Sequence, residues 1–213
     1  ALADQVIKGD KQETTDDTKD VLKITMDAEA VAEAQAKQVA EEVEEFKEAL
    51  ESEIERGLIV VENQLNRIVI RIRERGSFPS GDATLNQDFV PILKKINEVL
   101  TQTDGLIAVA GHTDNIPINT SRYRSNWELS TSRATSVVHE LLKYNTIPPE
   151  RFVLEGYADT RPLAPNDSIE NRAINRRVEI VVLKGSLDSE LTKSIDDLIQ
   201  QHDAIESEIQ QVR

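Results

Sequence analysis

The chain has 213 residues, enough for one ordinary domain with extensions or two small ones, carries a formal net charge of −14 and contains no cysteine. Disulfides and thiolate metal sites are excluded, which fits an oxidising compartment. Without a basic surplus to neutralise phosphates, nucleic-acid binding is not expected. The acidity is unevenly placed: net −10 up to Gly57, +1 from Leu58 to Lys184 and −5 from Gly185 onward. A near-neutral centre between acidic flanks reads as one globular domain with solvated arms. No run approaches the roughly 20 apolar residues that span a bilayer, and no export signal is visible at Ala1.

Residues 1–24 are polar, rich in Asp, Thr and Lys, and are expected to form a flexible acidic segment. Residues 25–57 have strong helix composition, and Ala36, Val39, Val43, Phe46 and Leu50 step by three and four. That narrow stripe either packs on the domain or pairs with another helix. Residues 58–185 form the expected domain. Leu58 to Val61 reads as an edge strand, and the alternating segment from Arg67 to Arg73 as a second strand. Phe78-Pro79-Ser80-Gly81 breaks the pattern. Val90, Leu93, Ile96 and Leu100 predict a helix over 88–102, with Pro91 tolerated in its first turn.

A strand over 106–110 follows, ending at Gly111. A helix over 125–144 has Leu129, Val137, Leu141 and Leu142 facing inward. Two further strands, over 152–157 and 178–183, enclose a polar loop or short helix. This order favours an α+β sandwich, a mixed sheet with helices on one face. Residues 186–213 repeat apolar positions at Leu191, Ile195, Leu198, His202, Ile205, Ile209 and Val212. That run is either a helix docked on its own domain or a self-associating coiled coil, with His202 setting register or exposed.

The chemistry concentrates at Gly111-His112-Thr113-Asp114-Asn115-Ile116-Pro117, where a strand ends and a loop begins. Asp114 is an acceptor-only group suited to an ammonium or guanidinium. Ser125 or Asn126 would cap the next helix, whose free N–H groups attract anions, and Arg133 lies two turns along. Acid, helix terminus and Arg together suit a zwitterion, one group for its amine and the others for its carboxylate. An ordinary structural ion pair between Asp114 and Arg133 fits the same pattern.

Other residues have plainer readings. Three histidines (His112, His139 and His202) provide no metal-ligand spacing, so His112 is expected to be a hydrogen bonder at a strand end. Glu155 and Asp159 flank a glycine without a nucleophile nearby. Ser130 belongs to the helix start, and Trp127 is expected to pack rather than to stack on a ligand. Arg67, Arg71, Arg73 and Arg75 read as a solvated edge rather than a phosphate-binding patch.

Gly111-His112-Thr113-Asp114, Asn126-Trp127-Glu128-Leu129-Ser130 with Arg133-Ala134, Gly156-Tyr157-Ala158-Asp159 and Asn175-Arg176-Arg177-Val178-Glu179-Ile180 resemble the OmpA-like peptidoglycan-binding family. Phe78-Pro79-Ser80-Gly81 resembles the segment before that family's first helix, and the likeness runs from Ile68 to Leu183. Asn115-Ile116-Pro117-Ile118, the long loop through Tyr123 and Gly156-Tyr157-Ala158-Asp159-Thr160-Arg161-Pro162 are similar to one branch, the flagellar stator B subunits of MotB/PomB type.

The resemblance implies a non-catalytic anchor without cofactor or metal, the periplasmic domain of a single-pass inner-membrane protein. Its partners would be peptidoglycan, a stator A subunit reached through a membrane segment before Ala1, and a second copy in a homodimer. Asp114 and Arg133 would clasp the amino and carboxylate ends of diaminopimelate in the wall's stem peptide. Thr113, Asn126 and Arg176 match further contacting positions and Leu129 a position lining the pocket. Neither Asp114 nor Arg133 would be needed for folding. A porin tail or lipoprotein anchored to the same wall is the alternative.

Overall fold

The computed structural model describes residues 33–64 and 67–183. The polar segment 1–24, the first residues of the 25–57 helix and the heptad run of 186–213 lie outside the described residues. The first described helix, α1, occupies 33–49. Its Val39, Val43 and Phe46, together with Leu50, are buried in the same apolar cluster as the sheet, so this stripe packs on the domain.

After a break at Leu50 the chain forms α2 (Glu51–Glu55), whose end is closed by two reverse bonds. The N–H of Leu58 donates to Glu53 O and that of Gly57 to Ile54 O, both at 2.9 Å. This geometry needs a left-handed residue, and Gly57 (φ +67°) supplies it. Glu53 is buried and receives Lys95 Nζ at 3.1 Å. Burial raises its pKa, but hydrogen bonds from Lys95 and Ser52 outweigh burial and hold it below the usual value.

Five strands follow: β1 (Ile59–Gln64), β2 (Arg67–Arg73), β3 (Leu106–His112), β4 (Phe152–Gly156) and β5 (Arg177–Leu183), arranged β1-β2-β5-β3-β4. The pairings are antiparallel except β3 with β4. Alternation along each strand decides what faces the helices. Ile68, Ile70 and Ile72 of β2, Ile107 and Val109 of β3, and Val178, Ile180 and Val182 of β5 enter one cluster. They meet Leu93, Ile96 and Leu100 of α4 (Val90–Leu100) and Ala134, Val137 and Leu141 of α5 (Asn126–Leu142). Between β2 and α4 lies a tight turn, α3 (Glu74–Ser77), non-helical at Arg75 and at Gly76 (φ +97°). Between β4 and β5 lies α6 (Ile169–Asn175), capped by the Ser168 side chain accepting from Asn171 N. The result is the expected α+β architecture, a mixed sheet with its helices on one face.

The opposite face corrects two expectations. β2 is interior to the sheet, so its Arg residues do not form one solvated edge. Arg67 and Arg73 are exposed, whereas Arg71 is paired with Glu62 at 2.8 Å and Glu179 at 3.0 Å. His112 is 3% exposed, stacks on Tyr157 at 5.4 Å, and neither ring nitrogen has a hydrogen-bond partner. Its strand position points it to the open face, among Arg177, Glu179 and Tyr157 lining a cavity of about 440 Å³.

Two glycines set how closely α5 lies on the sheet. Gly111 and Gly156 are register partners on β3 and β4. A Cβ on Gly111 would lie 1.9 Å from Ser130 O, and one on Gly156 would lie 2.1 Å from Thr131 Oγ1. Gly111→Ala therefore forces the helix off the sheet and is expected to destabilise by about 3 kcal/mol. Gly57→Ala meets no atom within 4 Å and suffers only the left-handed backbone penalty of about 1 kcal/mol. Urea unfolding of the two variants against the parent chain measures this difference.

Candidate functional site

The site forms where β3 ends and the chain turns away above the start of α5. Thr113 N donates to Ala158 O at 2.8 Å, extending the β3–β4 pairing beyond the strands. Ala158 adopts φ +49° and donates its own N–H to Ser130 Oγ at 3.1 Å. Ser130 thereby serves the helix start and the neighbouring loop. Thr113 Oγ1 turns inward to Asp114 O at 2.9 Å.

Asp114 is 5% exposed, and its two oxygens have separate duties. Oδ1 accepts Ile116 N at 3.1 Å, and Oδ2 accepts Arg176 Nη1 at 2.7 Å. Asn126 ties the loop to the helix with its whole amide. Nδ2 donates to Asp114 O at 3.2 Å and Ile116 O at 3.0 Å, while Oδ1 accepts Ile118 N at 3.2 Å. Ser125 occupies the N-cap position of α5, yet its side chain makes no capping bond. Leu129 lies beneath the loop in a small cluster with Ala83, Tyr123 and Ile118.

Arg133 is 1% exposed and heads the fully buried large side chains. Its Nε donates to Asp82 O at 2.8 Å, its Nη2 donates to Glu74 Oε1, and its guanidinium sits 5.3 Å from the centre of the Phe78 ring. Glu74, also buried, accepts Arg176 Nε on its other oxygen. Asp114 and Arg133 are thus not two facing arms but the ends of an alternating row, Asp114–Arg176–Glu74–Arg133. Burial works against the Arg176 charge, but hydrogen bonds to Asp114 and Glu74 outweigh it and raise the pKa further. The same contacts weigh against the expectation that Arg133 is dispensable for folding: its removal leaves Glu74 Oε1 without its partner in the interior, with Arg176 alone on the other oxygen.

Of the six residues named from the sequence, Thr113, Asp114, Asn126 and Arg176 meet at the end of β3. Arg133 is reached through Glu74, and Leu129 packs in its own small cluster. Glu74 was missed. In the sequence it is one acid in Arg73-Glu74-Arg75-Gly76 with nothing to mark it as buried; the turn at Gly76 is the only local hint. Trp127 is a second correction: it is not packed but 53% exposed. Among the described residues no group of three or more His, Cys, Asp or Glu could hold a metal ion.

Comparison with known proteins matches residues 77–176 to the OmpA family. This segment contains the Asp114, Asn126, Arg133 and Arg176 positions. Residues 77–176 are an OmpA-family domain. Motility protein B of Bacillus subtilis is 34% identical over 145 residues, covering 64% of this chain and 56% of that protein. The cell wall anchor of the T6SS from Pseudomonas aeruginosa is 41% identical with a TM-score of 0.61, covering 65% of this chain and 96% of that one. A putative MotB-like protein from Desulfovibrio vulgaris has a TM-score of 0.67 at 25% identity, covering 73% and 97%. The chain spans about half the length of the curated relatives it matches first, 50% and 56%. The OmpA-family domain thus lies at the heart of the described fold, and α1 docks against it.

Two stability measurements follow. Glu74→Gln leaves two guanidiniums without their shared counter-ion, and its urea midpoint is expected to fall by the equivalent of about 3 kcal/mol. His112 supplies a pH dependence. Burial first, and then the nearby Arg177 charge, lower its pKa from 6.5 to about 4, with Glu179 opposing. Between those values the unfolded chain binds a proton that the folded chain refuses. Stability from this group is therefore complete above pH 6.5 and lost as pH falls towards 4, by about 3 kcal/mol. His112→Phe should flatten the unfolding free energy across that window; an unchanged slope would assign it to other groups.

Proposed function

We propose that this protein is a non-catalytic anchor that binds peptidoglycan through the row ending in Asp114. The observation that carries this reading is the Asp114–Arg176 pair, a carboxylate and a guanidinium joined at 2.7 Å, with the Arg176 side chain 27% exposed. A zwitterionic amino-acid terminus matches the pair charge for charge. Its ammonium takes the place of the guanidinium on Asp114 Oδ2. Its carboxylate is drawn to Arg176, with Arg133 behind it, the two guanidiniums sharing Glu74. The second amino-acid end of diaminopimelate in a wall stem peptide is such a group. Thr113 and Asn126 hold the loop in place for the exchange.

Each charge-assisted contact contributes about 1.5–3 kcal/mol, which after association costs leaves modest affinity for a single site. Two copies presented to a polymer hold far better, because the second engagement is intramolecular. That consideration supports a homodimer.

The finer reading is a flagellar stator B subunit, a single-pass inner-membrane protein whose periplasmic domain grips the wall while a stator A subunit binds elsewhere. The likeness to Motility protein B supports it. Among the described residues no helix is long and apolar enough to cross a membrane, so the span this role requires would lie elsewhere. The 41% identity to a secretion-system wall anchor favours, as a second reading, the same grip serving another envelope machine. Restoration of swimming in a strain lacking its own motility protein B separates the two.

The wall-binding reading is tested by co-sedimentation with purified sacculi. Asp114→Asn keeps the shape of a buried side chain and Arg176→Gln changes a partly exposed one; both are expected to fold, checked by circular dichroism, and each should weaken binding at least tenfold, about 1.4 kcal/mol. Full binding by the folded double variant overturns the site.

A further inference from the structure

Trp127 is a large apolar ring held in water. It is 53% exposed and belongs to neither apolar cluster. It stands in the first turn of α5, on backbone that is tightly held. Trp127 O accepts Ser130 Oγ at 3.0 Å and Thr131 Oγ1 at 2.9 Å. The loop facing it is pinned as well: Arg122 Nη1 bonds Asp82 Oδ2 at 2.7 Å, and Glu128 receives both the backbone N–H and the side chain of Arg124. Trp127, Tyr123, Ser121, Thr131 and Ser132 line an open groove of about 630 Å³. Arg122, Arg124 and Glu128 complete the lining, and with Arg122 held by Asp82 and Arg124 by Glu128 the groove offers a ligand aromatic rings among hydroxyls and ion-paired charges.

We propose that this groove is a carbohydrate subsite in which Trp127 stacks against a sugar ring of the wall's glycan strand. A pyranose has an apolar face of C–H groups and a rim of hydroxyls, complementary to such a lining; an aromatic ring with few rotatable bonds orders at small entropic cost. Position supports the assignment. Asn126, the preceding residue, bonds Asp114 O at 3.2 Å and Ile116 O at 3.0 Å, and successive Cα atoms are about 3.8 Å apart. The ring therefore starts one residue away from the stem-peptide site. A stem peptide of a few residues, each extending about 3.4 Å, reaches from that site to the glycan that carries it. The inference rests on the peptidoglycan reading and deepens it: the chain recognises the junction of peptide and sugar, not the peptide alone.

Trp127 is the single tryptophan of the chain, so its emission reports on this groove alone. The full chain is titrated with three probes: a free stem peptide ending in a diamino acid, the same peptide on its disaccharide, and the disaccharide alone. The expected result is a blue-shifted emission with both sugar-containing probes, and about tenfold tighter binding of the glycopeptide than of the peptide. Trp127→Ala should reduce glycopeptide affinity to that of the peptide while peptide affinity stays as in the parent, and Trp127→Tyr should restore part of the difference. Equal affinity of Trp127→Ala and parent for the glycopeptide overturns the subsite. So does an altered dimerisation constant with unaltered glycopeptide binding, which makes the ring a protein contact. Sugar-dependent shifts without any peptide binding support the subsite and overturn the Asp114 reading. No response to any probe overturns both.

Discussion

The buried carboxylate of Glu74 is the constraint on which the site depends. It lies between two guanidiniums, Arg133 from the middle of α5 and Arg176 from the junction of α6 and β5. Its own backbone N–H donates to Arg176 O at 3.0 Å. One residue at the end of β2 thus ties together three elements distant in sequence. Buried ion pairs are weak arguments for stability, because desolvation consumes much of the attraction. Their effect here is positional. A buried charge tolerates few arrangements of its partners, so Arg176 is delivered to Asp114 in one place.

Close packing does the rest. With no side chain at Gly111 or Gly156, α5 rests directly on β3 and β4 and brings Ser130 to the loop at Ala158 and Asn126 to the loop at Asp114. Arg133 also holds Asp82 O, and the Asp82 side chain holds Arg122, so both loops around the site are braced by the same helix. The polar groups at the end of β3 are therefore already oriented, which would reduce what the binding of a ligand must order.

The two faces of the sheet have diverged in character. The helical face is largely apolar, whereas the open face carries Arg71, Arg177, Glu179 and His112 in contact with one another. Burial pushes the Glu179 pKa up, and hydrogen bonds from Arg177 and Arg71 more than reverse the shift. His112 and Asp114 are two residues apart yet serve opposite environments. One is neutral and desolvated under Tyr157, the other charged and paired at the rim.

Local pattern alone determined the elements. Alternation along Arg67–Arg73 and the three-four spacing in α4 and α5 are properties of neighbouring residues, and the described strands and helices follow them within a few positions. The motif segments likewise marked Thr113, Asp114, Asn126 and Arg176 as belonging together. What sequence could not determine was burial and partnership across the chain. Glu74 and Arg133 are 59 residues apart and Arg176 and Glu74 are 102 apart. No local periodicity encodes which acid a given Arg will meet. Trp127 and His112 were misjudged for the same reason: whether a ring is packed, solvated or left without a partner depends on surfaces that exist only after the sheet has formed. Tertiary structure therefore decided that Arg133 braces the site from within, and that an indole stands in solvent beside it.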